Sequence, residues 1–249
     1  MKRLLITAIL SQFFLHIMAM QPFTDTTFNP YGLNIINTPL EYHQAVIQNK
    51  DNQLVDIKRN IPQLHINLPY CTDQNFTGIV LYPPLQTSYL RRPVAEALKK
   101  ITEELEKEGL GLKIWDAYRP YQVTQQMWKV VPDARYAADP AVGSGHNRGI
   151  AVDLTLIEKQ SGKELDMGTE FDNFTEKAHH DYVAFLPEVL AHRQKLKKLM
   201  EAHGFKALPT EWWHYAWASG EFELMDFSFN ILRELCEGAA HDNPKNHLH

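Results

Sequence analysis

Three short stretches of this chain hold residue types that, brought together, could hydrolyse a bond with the help of a metal ion. The first runs Ser144-Gly145-His146-Asn147-Arg148-Gly149-Ile150-Ala151-Val152-Asp153-Leu154-Thr155-Leu156. His146 stands in a loop flanked by glycines, and Asp153 stands inside an apolar run between Val152 and Leu154. A carboxylate in such a setting is costly to bury unless it is paired or bound to a metal. Imidazole and carboxylate are both good Zn2+ ligands. A strand Asp also bonds to backbone, and a loop His is often simply solvated, so this segment alone leaves both readings open.

The second stretch, Glu211-Trp212-Trp213-His214-Tyr215, puts a carboxylate three residues before a histidine inside an aromatic cluster. Metal-assisted hydrolysis needs three protein ligands, a position for water and a nearby base. His146, Asp153 and His214 can supply the ligands and Glu211 the base. The plainer alternative is a core aromatic strand with two polar groups at its edge. A regular strand sends Glu211 and His214 to opposite faces, so a shared site requires a bulge or a strand end. The third stretch is Trp115-Asp116-Ala117-Tyr118-Arg119-Pro120. Asp116 could cap the helix that Pro120 opens. Arg119 stands at a helix entrance, where anionic groups are often held. Facing a carbonyl, it would stabilise the oxyanion that develops during hydrolysis; as a lone surface arginine it would do nothing of the kind.

The elements that must position these residues follow from periodicity. Leu110, Leu112 and Ile114 alternate, predicting a strand over 110–116, and 150–157 and 212–217 are further strand candidates. A strand is expected somewhere in 54–68 and another at Ile79-Val80-Leu81-Tyr82, after the turn Asn75-Phe76-Thr77-Gly78. Val94, Leu98, Ile101 and Leu105 recur at helical spacing until Gly109 stops them. A helix is expected from Pro120 to about Val130, and another from Pro187 to His203, closed by Gly204. Residues 131–145 read as a loop. Helices and strands mix without regular alternation, so the fold class expected is α+β: one domain with a central, mainly antiparallel sheet flanked by helices and the metal site at the sheet.

Composition narrows the field further. The 249 residues suit one large domain, and 44% hydrophobic residues exclude disordered and disulfide-scaffold classes. A net charge of −5 argues against a nucleic-acid partner. Two cysteines cannot make a four-thiolate site, so any metal centre leans on the twelve histidines and the carboxylates.

Together the segments resemble the zinc D-alanyl-D-alanine dipeptidases, the VanX-like enzymes. The resemblance rests on the three stretches above, on Asn75-Phe76-Thr77-Gly78, and on Met167-Gly168-Thr169-x-Phe171-Asp172, all in the expected order over roughly residues 50–218. It implies one Zn2+ per chain on His146, Asp153 and His214, with Glu211 as general base. It implies that Arg119 polarises the scissile carbonyl, and that Asp172 and Ser144 help hold the ammonium of a small D,D-dipeptide, which would be cleaved to two D-alanines. His179 and His180 match the family's pattern as structural or solvated residues. The contact for the substrate's carboxylate is not legible. The loop between Val131 and Gly143 is short for the family, which bears on strict dipeptide specificity. Related zinc D,D-carboxypeptidases and L,D-endopeptidases of peptidoglycan stems, and non-catalytic zinc-stabilised relatives, are the rival readings; the presence of both Glu211 and Arg119 speaks against the last.

The chain is expected to divide into a signal peptide at 1–19, an extended lead-in at 20–50, the catalytic domain at 51–226 and a C-terminal extension at 227–249 carrying a short helix. Lys2 and Arg3 precede an apolar run from Leu4 to Met18, with Ala19 at the cleavage point. That pattern predicts export, with a periplasmic location and no membrane insertion once cleaved. In an oxidising compartment Cys71 and Cys236 could pair. His241, His247 and His249 fall in a polar tail. Oligomeric state is not legible.

Overall fold

A computed structural model describes residues 29–241, with side chains through residue 237. In chain order the elements are β1 (Ile35–Ile36), α1 (Pro39–Gln48), β2 (Leu54–Asp56), α2 (Ile57–Asn60), β3 (His65–Ile66), β4 (Tyr89–Arg91), α3 (Arg92–Glu106) and β5 (Leu110–Asp116). There follow α4 (Tyr121–Val130), β6 (Ala151–Glu158), α5 (Pro187–Ala202), β7 (Phe205–Leu208), β8 (Glu211–Trp217), β9 (Leu224–Met225) and α6 (Phe229–His241). The segment read as a signal peptide, and His247 and His249, lie outside the described residues.

The main sheet has five strands in the order β3-β5-β6-β8-β7. Only β3 runs parallel to its neighbour; the other pairings are antiparallel. The fold is therefore the expected α+β arrangement. Strand β6 sits at the centre and is buried along all but its last residue, as a strand covered on both faces must be. Its Val152, Leu154 and Leu156 share one core with Leu98, Ile101 and Leu105 of α3 and Leu196 and Met200 of α5. Helix α3 presents those residues along one stripe, and Gly109 turns the chain into β5 at φ +75°, a conformation that disfavours any residue with a Cβ.

Two expectations fail. Residues 39–48 are not an extended lead-in but helix α1, opened by Pro39 and a reciprocal capping box between Thr38 and Glu41. Its buried Tyr42 and Ala45 form too narrow a stripe to stand out as a helical period, although the cap signature Thr38-Pro39-Leu40-Glu41 is there to be read. The stretch is also built into the domain: β1 pairs with β9, and the Leu54 amide donates to the Tyr42 hydroxyl at 2.8 Å. The strand expected at 79–82 does not form either. Ile79 and Val80 are exposed, while the Leu81 and Tyr82 amides both donate to the Tyr70 carbonyl. Apolar character there serves to turn Tyr82 inward rather than to build a ladder. Cys71 and Cys236 remain free thiols. Burial pushes the Cys236 thiol up to about 12, which leaves it a weak donor to the Leu54 carbonyl. The expected helix of the C-terminal extension is α6, whose Leu232 is fully buried.

Candidate active site

The register of the sheet lines up three acidic and imidazole groups in one row. Asp116 of β5 lies opposite Asp153 of β6, which lies opposite His214 of β8. Cross-strand neighbours share a face, so all three side chains meet at one end of the sheet. The row depends on a bulge. Ile114 pairs with Leu154, yet Asp116 rather than Trp115 faces Asp153; the extra residue re-aims the strand. A second irregularity solves the parity problem of β8. Ala207 pairs with Tyr215 but Leu208 pairs with Glu211. Skipping the intervening residues brings the Glu211 carboxylate to 4.0 Å from His214 Nδ1.

His146 arrives from the loop before β6. Gly145 is required there, because a Cβ would stand 2.9 Å from that of Ala151. Ser144 Oγ accepts from the His146 amide, and Asn147 bonds the Ser144 amide, the Arg119 carbonyl and Thr124. The His146 ring is buried, and its Nδ1 meets the Ala117 carbonyl at 2.7 Å. A carbonyl can only accept, so Nδ1 carries the proton and the lone pair sits on Nε2. That lone pair faces His214 Nδ1 at 3.2 Å and Asp153 Oδ2 at 3.3 Å. His214 Nδ1 lies 2.9 Å from Asp153 Oδ1. Two ligand atoms about 2.0–2.1 Å from a tetrahedral metal stand roughly 3.3 Å apart. The spacing therefore fits a Zn2+-sized ion held by His146 Nε2, Asp153 and His214 Nδ1. The carbonyl behind His146 is the kind of outer support that orients a metal-binding imidazole. Among the described residues these three form the one group of His, Cys, Asp and Glu gathered closely enough to hold a metal.

Arg119 is aimed by Asp116. One Asp116 oxygen accepts from Arg119 Nε at 2.9 Å and Nη2 at 2.7 Å; the other accepts from the Ala117 amide and the Tyr82 hydroxyl. Asp116 is thus not a helix cap but a buried anchor, and Arg119 is not a surface residue. Arg119 Nη2 ends 3.9 Å from Asp153.

Asp172 has φ +56°, unusual for a residue with a Cβ and a conformation that the surroundings must enforce. They do so through Phe171, which packs on Trp115, Trp213 and Tyr70. The Tyr70 hydroxyl donates to the Asp172 carboxylate at 3.0–3.1 Å, and the Tyr70 ring lies beside the Arg119 guanidinium. Arg193 of α5 clamps the Asp172 loop from behind, donating to the carbonyls of Met167, Lys177 and His179. It also rests on Trp212, next to Glu211. Tyr70, Asp116 as anchor, Tyr82, Asn147 and Arg193 escaped the sequence reading. Tyr70, Tyr82 and Arg193 work through long-range contacts, while Asp116 and Asn147 also bond three residues away, a spacing that is equally compatible with an ordinary cap or turn.

The electrostatics divide the carboxylates. Burial disfavours the charged form of Asp153, but His146 and His214 outweigh it and hold the carboxyl below the ordinary range. Burial, with the charges of Asp153 and Asp172 nearby, pushes Glu211 well above the ordinary range. Burial and Asp153 raise Asp172 likewise. Burial lowers His214, against the pull of Asp153. His180 packs against Tyr215, away from the cluster, and burial holds it neutral down to about 4.

Ser144, Arg119, His146, Asp153, Asp172, Glu211 and His214 all line one cavity of about 220 Å3. That is smaller than the roughly 300–1,000 Å3 of sites for drug-sized ligands, and suits a substrate of few atoms. A larger hollow of about 510 Å3, bordered by His65, Thr102 and Lys159, gathers no comparable cluster.

Residues 50–229 match the M15 peptidase family model described as D-ala-D-ala dipeptidase. The D-alanyl-D-alanine dipeptidase of Escherichia coli (strain K12) is 37% identical over 163 residues, covering 66% of this chain and 83% of that protein. That of Enterococcus faecium is 30% identical over 185 residues, covering 65% of this chain and 90% of that protein. Among solved structures, the vancomycin-resistance D,D-pentapeptidase VanY in complex with Zn(II) aligns with a TM-score of 0.35 at 13% identity, over 55% of this chain and 76% of that one.

Proposed function

The chain belongs to the D-alanyl-D-alanine dipeptidase family of M15 peptidases, and from that premise we propose that it cleaves D-alanyl-D-alanine to two D-alanines with one Zn2+ on His146, Asp153 and His214. The observation that carries the reading is the pair of ligand spacings, 3.2 and 3.3 Å, with Glu211 and Arg119 beside them in a small cavity. Bound zinc supplies Lewis acidity, which brings the pKa of water toward about 7 and draws charge from a carbonyl.

The chain's own groups do the rest. Glu211 accepts no hydrogen bond from any described residue, so its oxygens are open to the proton of the attacking water. Once protonated, it stands ready to pass that proton to the leaving amine. Arg119, held by Asp116, presents fixed positive charge to the carbonyl oxygen as it becomes negative. Asp172, shaped by Tyr70, receives the substrate's ammonium, and Ser144 keeps the His146 loop in place beside it.

The test is steady-state kinetics on D-Ala-D-Ala, an L,L-dipeptide and a pentapeptide stem, with and without a chelator. We expect D-Ala-D-Ala to be preferred, turnover to vanish on chelation and Zn2+ to restore it. Turnover indifferent to chelation, or a preference for the stem, would overturn the reading.

Export belongs to the same proposal. An exported enzyme meets dipeptide outside the cytoplasm, which favours wall turnover or scavenging over depletion of the cytoplasmic precursor pool. Mass spectrometry of the protein from fractionated cells should find it outside the cytoplasm and beginning after Ala19; intact protein in the cytoplasm alone would refute export.

A further inference from the structure

A zwitterionic dipeptide needs a countercharge at each end, and the residues so far placed answer only one of them. The groups lining the cavity include three carboxylates, Asp153, Asp172 and Glu211, and two guanidinium side chains, Arg119 and Arg135. Arg119, held by the buried Asp116, is already assigned to the carbonyl oxygen. His146 and His214 are committed to the metal position. The remaining cation is Arg135.

Arg135 lies in the loop between α4 and β6. Its carbonyl accepts from Thr210 Oγ1 at 2.9 Å, which ties this point of the loop to the residue just before Glu211. Its guanidinium lies over the Tyr136 ring, and Tyr136 in turn stacks on Phe174 of the Asp172 loop. The backbone and ring contacts thus hold Arg135 at the rim of the cavity, while the side chain remains 66% exposed. Nε and Nη2 face Asp133 on the same turn, at 2.6–3.1 Å. Nη1 makes no contact with any described protein acceptor. A guanidinium offers five donors in a fixed fork, so Asp133 can orient it while the other edge is left for a second carboxylate.

We propose that Arg135 receives the terminal carboxylate of the dipeptide, and so is the residue that selects a free C-terminus. The assignment rests on the dipeptidase reading and adds to it the contact that reading lacks.

The experiment compares D-Ala-D-Ala with its C-terminal amide, using the zinc-loaded wild type, Arg135→Gln and Arg135→Lys. The wild type should favour the free acid by about fivefold in kcat/KM, the upper end of what an exposed ion pair contributes. In Arg135→Gln the free acid should lose about that factor, mainly through KM, and the amide much less. Arg135→Lys should recover part of the preference. A loop that merely supports the fold would cost both substrates alike, so equal losses would overturn the assignment, as would an Arg135→Gln enzyme that still favours the free acid by the wild-type factor. A wild type inactive on D-Ala-D-Ala would instead bring down the dipeptidase reading, and this assignment with it. Arg135 is exposed, so both variants should fold, and matching thermal melts verify that.

Discussion

Changing Glu211 to glutamine lowers kcat by about 10²- to 10⁴-fold, the usual contribution of a positioned general base, while zinc stays near one per chain. Glutamine keeps the shape of the side chain and removes its ability to take a proton. Glu211 is not among the three residues whose ligand atoms converge; its carboxylate lies 4.0 Å from His214 Nδ1. The metal set is therefore untouched. A second consequence follows from burial. A carboxyl whose folded pKa is raised binds its proton more tightly folded than unfolded, so in the metal-free protein stability falls as pH rises above the ordinary carboxylate range. Glu211 is such a group. Metal-free Glu211→Gln should accordingly melt at or above the wild-type temperature at neutral pH, and its stability should fall less steeply between acid and neutral pH. Elemental analysis, kinetics and melting on one preparation check all three. A zinc-loaded variant with near wild-type turnover would remove Glu211 from the reaction.

Changing His214 to alanine abolishes both metal and turnover. The substitution takes one of three ligands from the cluster and leaves Asp153 facing His146 alone. Two ligands do not hold Zn2+ against dilution as three do. The buried carboxylate also loses a partner that, with His146, keeps it charged. The measurement is zinc stoichiometry after dialysis, together with melting at increasing Zn2+. A ligand that binds only the folded state raises its melting temperature, so the wild type should respond to micromolar zinc and His214→Ala should not. Full zinc in the variant would exclude His214 as a ligand. The two substitutions separate two roles: Glu211→Gln keeps the ion and loses the reaction, and His214→Ala loses both.

How much of this was legible beforehand differs from residue to residue. The strands at 110–116, 151–158 and 211–217 and helix α3 were written in local periodicity, because each is long and buries one face or both. Helix α1 was missed although its capping box is local, because prolines and a two-residue buried stripe masked it. The segment 79–82 looked like a strand because apolar residues in a row fit one, but among the described residues no strand pairs with it.

The site shows the same division. Residue types and their order determined that His146, Asp153, His214, Glu211 and Arg119 were the groups to watch, since a carboxylate in an apolar strand is costly to bury alone and the three stretches together resemble one family, although a loop histidine by itself is often simply solvated. They could not determine that Glu211 and His214 share a face, because a regular strand forbids it; that was decided by the skipped register between β7 and β8. Nor could they say that Asp116 is an anchor rather than a cap, since that turns on one extra residue in β5. Tyr70 and Arg193 act across 102 and up to 26 positions of sequence respectively, and no local pattern records such a contact. Chemical identity is carried by single residues and survives in a linear string. Distance and direction are set by register, bulges and packing, which come into being only when the strands meet.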